Sequence, residues 1–426
     1  MNNGHQTALI LNYHGYGHAE DIARCIRQRG RHVTIITDKQ TKVDNDSCDT
    51  LVRCKDILDI DEVVESIDNL IKQGVHIQDV VNTTCYISFV YYHLLKKFGD
   101  RFGIADWFLN TRIKPECRRL LALHNVSPVR HLLIKDETDL SKASNIVRFP
   151  AVIKPASGQG SDCVYEVANI DELRSRYAEI RKTPIEGIHP LYCKNVLVND
   201  VAYDLTRDFL LEEYLNGKEY SVDGYIYNGT VVVAGVHQKY FSSEEDGFRD
   251  RLYVTPPANW SDTDQHKVEN LINDVQNALG MDNTLFHIEI RMVEGEPKII
   301  EINPRLGGGM IQENIVLSAG ISLIDILADI ICDRNVPLNP PQRDGVSFDF
   351  GVVIPRSGKV KSITGIEEIK RMDGIRGVRS FVHVGEEIKN LVGERFFLFC
   401  HGHVQTHEGA IHLYNQANNL FHYEIE

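Results

Sequence analysis

The stretch KIIEINPRLGGGM, residues 298–310, carries the pattern from which the fold of this chain can be worked out. Its strand-like half places Glu301, Asn303 and Arg305 at alternate positions, and three glycines follow at 307–309. Alternate residues of a β-strand point to the same face. A buried face seldom carries two charged groups beside an amide, and a solvent-facing strand does not need three glycines after it. The pattern therefore predicts a strand end that holds a polar ligand.

The run FHIEIRMV at 286–293 predicts the partner of this strand. Its apolar residues alternate with polar ones, so one face is apolar and the other carries Glu289 and Arg291. The intervening residues, EGEP, contain Gly and Pro and predict a hairpin turn. A hairpin centred on this glycine places Glu289 opposite Glu301 and Arg291 opposite Ile299. Alternation along the second strand also places Ile299 on the face of Glu301.

The two facing carboxylates predict a metal site. Cross-strand partners have Cβ atoms about 5 Å apart, and like charges placed so destabilise the sheet. A shared hard cation reverses that effect, and Mg²⁺ takes oxygen ligands while leaving positions for water and phosphate. We therefore expect Glu289, Glu301 and Asn303 to bind a metal that in turn holds phosphate. The alternative is a solvent-facing hairpin with ordinary surface acids, and a one-residue slip in register would favour it.

Composition limits the class of protein. The chain has 426 residues, which predicts two or three domains, and its 42% apolar and 25% charged content is typical of a soluble globular protein. We find no run of 18 apolar residues and no export signal, so a spanning helix is not expected. The net charge of −14 argues against nucleic acid or an anionic membrane as the main partner.

The nine cysteines include no Cys-x-x-Cys pair and are typical of reduced thiols, so we expect a cytoplasmic protein. Small molecules are the expected partners, and a homodimer is the expected assembly.

The chain is predicted to divide into three parts. TALILNYHGYGHAEDIARCIRQRGRHVTIITD at 7–38 reads as strand, glycine turn, helix and strand, which predicts an α/β domain over 1–110. From 111 to 335, short strands and helices predict an α+β core. After VPLNPP, which breaks the chain, a strand-rich subdomain is predicted over 336–426.

A second phosphate-binding element is predicted in AVIKPASGQGSDCVYEV, at 151–167. Its glycine loop lets backbone N–H groups approach phosphate oxygens, and Lys154 adds a positive charge. It is not a Walker loop, because Gly-Lys-Ser/Thr leading into a helix is missing. Lys114, at the start of a helical segment, is a further candidate. The alternatives are a flexible turn for the loop and a solvated side chain for Lys114.

A third element, DFLLEEYLNGKEYSVDGYIYNG at 208–229, predicts two strands joined by a short connector. Free backbone groups beside an apolar wall suit an adenine ring. An acid just past the connector, Glu219, suits ribose hydroxyls. Each of these residues is otherwise an ordinary core or surface position.

Taken in this order, the elements resemble the ATP-grasp carboxylate–amine ligases over roughly residues 110–335, and the whole layout is similar to their L-amino-acid ligase and dapdiamide-synthetase branch. The resemblance implies an ATP-grasp fold. The nucleotide would be sandwiched between two α+β subdomains, a central lid at about 125–212 and a metal-binding subdomain at about 213–335. The N-terminal α/β domain would be Rossmann-like.

The resemblance also implies residue roles. Phosphates would be held by Lys114, Lys154, Ser157, Gly158, Gly160 and Ser161. Adenine and ribose would be held by Glu212, Tyr214, Leu215 and Glu219. Metal ligands would be Glu289, Glu301 and Asn303. Arg305, and with it Lys154, would act in catalysis, with Arg305 steadying an acyl phosphate. The carboxylate substrate would be bordered by Gly308 and Gly309, with His237 and Lys239 as further candidates.

The reaction implied by the resemblance has two steps. A carboxylate attacks the γ-phosphate of ATP, and an amine then displaces phosphate from the acyl phosphate to give an amide. ATP and two Mg²⁺ ions, or Mn²⁺ in their place, would be required. No side chain stands out as the general base for the amine.

Three other functions stay open at this point. One is a different ATP-grasp chemistry, that of a biotin-dependent carboxylase subunit or a purine-pathway ligase. Another is a non-catalytic ATP-binding module. The third is a nicotinamide dehydrogenase, suggested by HGYGHAE at 14–20 with Asp38 ending the next strand, although Glu20 stands where the fingerprint needs its third glycine.

Overall fold

A parallel four-stranded sheet opens the chain. The computed structural model describes residues 6–13, 18–158, 160, 163–182, 196–240, 251–339, 344–388 and 395–426. The first elements are β1 (Gln6–Asn12), α1 (Ala19–Gln28), β2 (His32–Asp38), β3 (Thr50–Cys54), α2 (Ile60–Lys72), β4 (His76–Asn82) and α3 (Ser88–Phe98). Strand order is β3-β2-β1-β4, and all pairs are parallel. The predicted strand–helix–strand start is confirmed.

Two helices then lead into a second, smaller sheet. They are α4 (Ile104–Arg112) and α5 (Lys114–Leu123). The next elements are β5 (His131–Ile134), α6 (Glu137–Leu140), α7 (Ala143–Ile146), β6 (Ala151–Pro155), β7 (Tyr165–Val167), α8 (Ile170–Lys182), β8 (Val196–Val198), β9 (Val201–Tyr203) and β10 (Phe209–Glu213). The sheet has the order β5-β10-β6-β7, and β8 pairs with β9 as a separate ribbon. This sheet lies where the central subdomain is expected.

The rest of the chain is built around an eight-stranded sheet. Its elements begin with β11 (Lys218–Tyr227), β12 (Thr230–Tyr240), β13 (Leu252–Thr255), α9 (Asp262–Leu279), β14 (Thr284–Val293), β15 (Glu296–Asn303), α10 (Ile311–Ala319) and α11 (Leu323–Ile331). They continue with β16 (Val346–Val353), β17 (Gly358–Thr364), α12 (Ile366–Lys370), β18 (Ile375–Ser380), β19 (Glu387–Ile388), β20 (Phe396–Val404), α13 (His407–Leu420) and β21 (His422–Ile425).

This large sheet crosses the boundary predicted near residue 336. Its order is β15-β14-β11-β12-β13-β16-β20-β18, and β13 pairs with β16 through Leu252↔Phe350 to Thr255↔Ser347. The strand-rich tail is therefore continuous with the sheet that contains the predicted metal hairpin. Only the small β19-β17-β21 sheet lies wholly beyond residue 336 in the described part of the chain. The domain limits themselves stay a prediction.

Local sequence signals account for where the longest helix begins and ends. Ser261 caps α9 by accepting from the Asp264 backbone, and the Asp264 side chain accepts from the Ser261 backbone in return. Gly280 ends the helix in a left-handed conformation with φ of 75°. The buried face of α9, which includes Val268, packs in the same core as the apolar residues of the β14–β15 hairpin. That helix therefore supports the hairpin from behind.

Among the described residues, no single helix is long and apolar enough to cross a membrane. Helices α10 and α11 pass the test of length and composition only as a pair, and they are bent by 95° at the break between them.

We predict that the tail beyond residue 336 and the part of the chain before it unfold together. Phe348, on β16, is fully buried, so Phe348→Ala should cost about 3–5 kcal/mol of unfolding free energy. Both tryptophans, Trp107 and Trp260, lie before residue 336. Thermal unfolding followed by tryptophan fluorescence should therefore shift to lower temperature in this tail variant.

Val384→Ala, at a position 60% exposed, is the control and should leave the curve in place. An unchanged fluorescence transition in Phe348→Ala, with a separate early transition by circular dichroism, would contradict a single cooperative unit.

Candidate active site

The hairpin of β14 and β15 brings the two predicted carboxylates face to face. Glu289 pairs with Glu301 across the strands, so that prediction is confirmed. The turn consists of two residues, Glu294 and Gly295, with φ of 52° and 79°, the left-handed values of a tight hairpin turn. Next to the turn the register differs from the predicted one, and Arg291 faces Lys298 rather than Ile299.

A β-bulge reconciles the tight turn with the facing carboxylates. The register shifts between Glu289 and Ile290, which leaves Ile300 as an extra residue on β15. Ile299 therefore points into the core opposite Ile290, and its predicted place on the face of Glu301 is wrong. Because Ile300 is the extra residue, Glu301 lies opposite Glu289 even though Ile299 lies opposite Ile290.

Contacts from distant segments hold the bulge. The Ile299 backbone N–H donates to Ser127 Oγ at 2.8 Å. The Ile300 carbonyl accepts from Arg118 Nη2 at 3.3 Å. The position of Glu301 is thus fixed by the loop after α5 and by α5 itself.

Lysines neutralise both carboxylates. Lys239 Nζ lies 3.1 Å from Glu289 Oε1, and Lys114 Nζ lies 2.8 Å from Glu301 Oε1. Burial acts to raise the pKa of Glu289, but Lys239 and His287 outweigh it and hold that pKa well below its usual range. Burial also acts to raise the pKa of Glu301, and Lys114 with Arg112 brings it below the usual value despite Glu289. Both acids are therefore ionised at neutral pH.

Asn303 and Arg305 are held by residues of two other elements. Arg112, the last residue of α4, donates from Nη1 to Asn303 Oδ1 at 2.7 Å. The thiol of Cys85 donates to the same oxygen at 3.5 Å and accepts from Arg305 Nε at 2.9 Å. Arg305 also donates from Nη1 to the Leu306 carbonyl at 2.6 Å. The short helical turn after β4, through Cys85, therefore touches the end of the hairpin.

The central sheet contributes a buried ion-pair triad. Lys154 Nζ on β6 contacts Glu212 Oε1 on β10, and Arg118 Nε lies 2.7 Å from Glu212 Oε2. Burial acts to raise the pKa of Glu212, but Arg118 and Lys154 outweigh it and lower it to about 2. Since Arg118 also bonds the hairpin bulge, the triad links the predicted phosphate lysine to the predicted metal site.

The predicted glycine flap starts beside these groups. The Lys114 backbone N–H donates to the Ala156 carbonyl at 2.8 Å, and Arg112 Nη2 reaches the Gly158 carbonyl at 3.5 Å. Ser157 is fully buried. Gly160 is described, whereas Ser161 lies outside the described residues.

One arginine of β14, Arg291, contacts the connector after β10 at several points. Arg291 donates from Nη1 to the Leu215 carbonyl at 2.9 Å and from Nε to Glu219 Oε2 at 3.0 Å. Its guanidinium lies over the Tyr214 ring, 4.8 Å from the centroid. Glu219 also contacts Lys239 at 2.9 Å, and Lys239 reaches Glu289. The predicted adenine and ribose groups therefore join the metal hairpin through Lys239.

His237 does not reach an open site. It is fully buried on β12, bonded through Nδ1 to Thr255 Oγ1, with Nε2 at 3.6 Å from Asp223. Asp223 is itself buried and bonds His287 Nδ1 at 2.9 Å. The substrate role of His237 stays a prediction, and the burial of its ring between Thr255 and Asp223 argues against it.

The glycine loop at 307–309 covers the buried side chain of Asp223. A Cβ on Gly307 would lie 2.8 Å from Asp223 Oδ1 and 3.0 Å from His287 Nδ1, so no larger residue fits without a shift. Gly309 has φ of 64° and lies against Asp349. Gly308, in contrast, faces open space. Of the loop glycines, Gly308 is therefore the one placed to border a ligand.

The residues present fit a hard dication. Two carboxylates and one amide oxygen lie at the end of the hairpin opposite its turn. Each contacts one cation: Glu289 contacts Lys239, Glu301 contacts Lys114 and Asn303 contacts Arg112. Oxygen donors of this kind suit Mg²⁺. Within the described ranges, no three His, Cys, Asp or Glu side chains form a metal cluster. The candidate set therefore needs the Asn303 amide.

The sequence analysis did not predict several of the side chains that hold these groups. Arg112, Arg118 and Cys85 were not predicted, and Arg291 was placed only as a residue of the polar strand face. A signal existed for Arg118, since it follows Lys114 by four residues and shares its face of a helix. No local signal points to Cys85, whose partners Asn303 and Arg305 lie on a distant strand end.

Comparisons with known proteins give a family for part of the chain. Residues 147–313 match the family model described as the ATP-grasp domain. Alanine–anticapsin ligase of Bacillus amyloliquefaciens is 22% identical over 250 residues, 56% of this chain and 50% of that protein. Dapdiamide A synthase of Enterobacter agglomerans is 23% identical over 289 residues, 65% of this chain and 62% of that protein. The chain spans about half the length of the first of these relatives.

A solved structure carries the likeness across the whole chain. The L-amino acid ligase from Bacillus licheniformis aligns with a TM-score of 0.78 at 17% identity, covering 100% of both chains. At this identity the likeness establishes the fold.

We predict that removing Arg118 destabilises the protein far more than removing an exposed arginine. Arg118→Met leaves the buried Glu212 with one cation and the bulge carbonyl without its donor, which should cost about 3 kcal/mol of unfolding free energy. Arg174→Met is the control, since this side chain and its partner Asp171 are 56% and 87% exposed and its loss should cost about 1 kcal/mol or less. Urea unfolding measures both, and equal losses would contradict the triad's structural role.

We also predict that His237 makes stability depend on pH. Burial lowers the pKa of His237 to about 4, from an ordinary value near 6.5. The unfolded chain therefore binds this proton first, so the contribution is complete above about pH 6.5 and is lost as the pH falls toward 4. Between pH 7.5 and 5, His237→Gln should lose less unfolding free energy than the unmodified protein, by about 1–2 kcal/mol. Parallel losses would show that His237 is not buried in its neutral form.

Proposed function

We propose that this chain, which has the ATP-grasp fold and an ATP-grasp domain over residues 147–313, is an ATP-dependent carboxylate–amine ligase. It would join an amino-acid-like carboxylate to an amine, with release of ADP and phosphate. The observation that carries the proposal is the facing pair Glu289 and Glu301 beside Asn303, surrounded by the cations of the three neighbouring elements.

In the first step, a carboxylate oxygen of the acid attacks the γ-phosphorus of ATP, and the bond from that phosphorus to the bridging oxygen of ADP breaks. Phosphoryl transfer depends on positioning and charge neutralisation more than on covalent chemistry by the protein. Lys154 and Lys114 supply positive charge on the two sides of the phosphates. Arg305 can bind the transferred group through two N–H donors.

Glu289, Glu301 and Asn303 would hold Mg²⁺, and two ions are proposed. When bound, Mg²⁺ neutralises phosphate oxygens and orients them. The remaining cations are already close: Lys114 and Lys239 lie within 3.1 Å of the two glutamates. The protein's own part is to keep both acids ionised, which the low pKa of each ensures.

In the second step, the amine nitrogen attacks the acyl carbon, the bond from that carbon to the phosphate oxygen breaks, and the nitrogen loses a proton. The flap that begins at Ser157 would exclude water and protect the acyl phosphate from hydrolysis. A group of the substrate or an ordered water would accept the proton.

An amino acid as substrate is supported by the relatives. One is named as a ligase of alanine and anticapsin, and the solved structure that covers the whole chain is that of an L-amino acid ligase. We propose the same substrate class here.

The deciding experiment measures phosphate release from ATP and Mg²⁺ across a panel of amino acids, singly and in pairs, with mass spectrometry of the products. A condensed amide that appears only with two particular partners supports the proposal. Carboxylation of biotin with bicarbonate would assign a carboxylase instead. ATP binding without turnover on any pair would favour a binding module, and nicotinamide binding without ATP binding would favour a dehydrogenase.

We predict that Glu289→Gln and Glu301→Gln each lower kcat/KM by about 100-fold or more, because each removes one negative charge from the metal site. Glu294→Gln, in the exposed turn of the same hairpin, is the matched control and should retain activity. A chelator should abolish turnover in the unmodified enzyme, and added Mg²⁺ should restore it. Full activity of either site variant would remove the hairpin from the mechanism.

A further inference from the structure

A cavity of about 60 Å³ lies against the inner side of the candidate active site. It is enclosed by β4, α3, α11 and the base of the β14–β15 hairpin. Arg305 and Leu306, which follow the metal-binding strand, form part of its wall. The cavity therefore touches the residue proposed to steady the acyl phosphate.

Much of the wall is aliphatic. Val80 and Val81 come from β4, Leu285 from β14, and Leu327 and Ile331 from α11. All of these except Leu327 are more than 90% buried. An enclosed surface of this kind favours an apolar group over a polar one.

Several of the polar groups that line the cavity already have partners. The Thr83 hydroxyl donates to the Leu11 carbonyl at 2.8 Å, and the Asn82 side chain accepts from the Thr84 backbone at 3.3 Å. At the other end, Asp79 is paired with Arg31 and Arg101. The aliphatic part of the wall is therefore available to an apolar group.

The topology also favours a ligand at this place. In the N-terminal sheet, β1 lies between β2 and β4, so the direction of the strand order changes beside β1. In open parallel sheets, ligands bind beyond the carboxyl ends of the strands at such a change of direction. Asn82 and Thr83 are at the carboxyl end of β4, and both line the cavity.

We propose that this cavity is the side-chain pocket for the acid substrate and that it selects a branched aliphatic side chain, such as that of valine or leucine. The inference rests on the proposed ligase function, because it places the substrate carboxylate at Arg305. A cavity needs about 10–15 Å³ to hold one water molecule, so a cavity of about 60 Å³ has room for about four to six groups of that size, such as the methyl and methylene groups of a small branched side chain.

The test changes the volume of the pocket. Leu327→Phe adds bulk from a side chain that is only partly buried, so folding should tolerate it. In the unmodified enzyme, L-leucine or L-valine should exceed glycine in kcat/KM by at least 10-fold, since each methylene in a fitted pocket is worth about that much. Leu327→Phe should lose at least 10-fold with leucine and little with glycine. Leu123→Phe, at a position 70% exposed on α5, is the matched control.

The outcomes separate this inference from the proposed function. Equal kcat/KM for leucine and glycine in the unmodified enzyme, or an equal loss for both in Leu327→Phe, overturns the pocket while the ligase function stands. If no acid supports turnover, the ligase function fails, and thermal unfolding with L-leucine or glycine decides the pocket alone. A rise in unfolding temperature with leucine that Leu327→Phe removes supports the pocket, and no leucine-specific rise overturns it.

Discussion

Two ionised carboxylates facing each other across one pair of strands are the constraint on which this structure depends. Without compensation, such a pair destabilises a sheet. Here the compensating cations come from three separate elements: Lys239 from β12, Lys114 from α5 and Arg112 from α4. The helices after the N-terminal sheet must therefore lie against the hairpin, and the long strands β11 and β12 must carry their cation to it. The architecture around the hairpin follows from this requirement.

One arginine ties the central sheet to the hairpin. Arg118 serves Glu212 in one sheet and the bulge carbonyl of Ile300 in the other. A single buried side chain therefore links the predicted phosphate lysine, Lys154, to the predicted metal ligands. Such a link is directional, and it positions two sites more closely than apolar contact between sheets would.

The sequence was sufficient for elements whose signals are local. Alternation and turn residues located the hairpin, and strand–glycine–helix–strand order located the N-terminal sheet. The bulge at Ile300 escaped because an inserted residue leaves no local mark; its holders, Ser127 and Arg118, lie far away in the chain. The burial of His237 was not predicted for a related reason. No residue near His237 in the sequence indicates that Thr255 and Asp223 enclose its ring. The pairing of β13 with β16 was likewise not predicted, because the proline-containing break at 336–341 resembles a domain boundary.

That pairing has a consequence for how the protein can be divided. A fragment that ends near residue 336 would keep the hairpin and its ligands but would strip β13 of its neighbour. Leu252 and Val254, now buried, would then sit on an open sheet edge with unsatisfied backbone groups. Exposed apolar edges of this kind recruit strands from other molecules. The tail therefore protects this edge from aggregation, and a chimaera that contains the β14–β15 hairpin and its sheet should also contain β16 and β20.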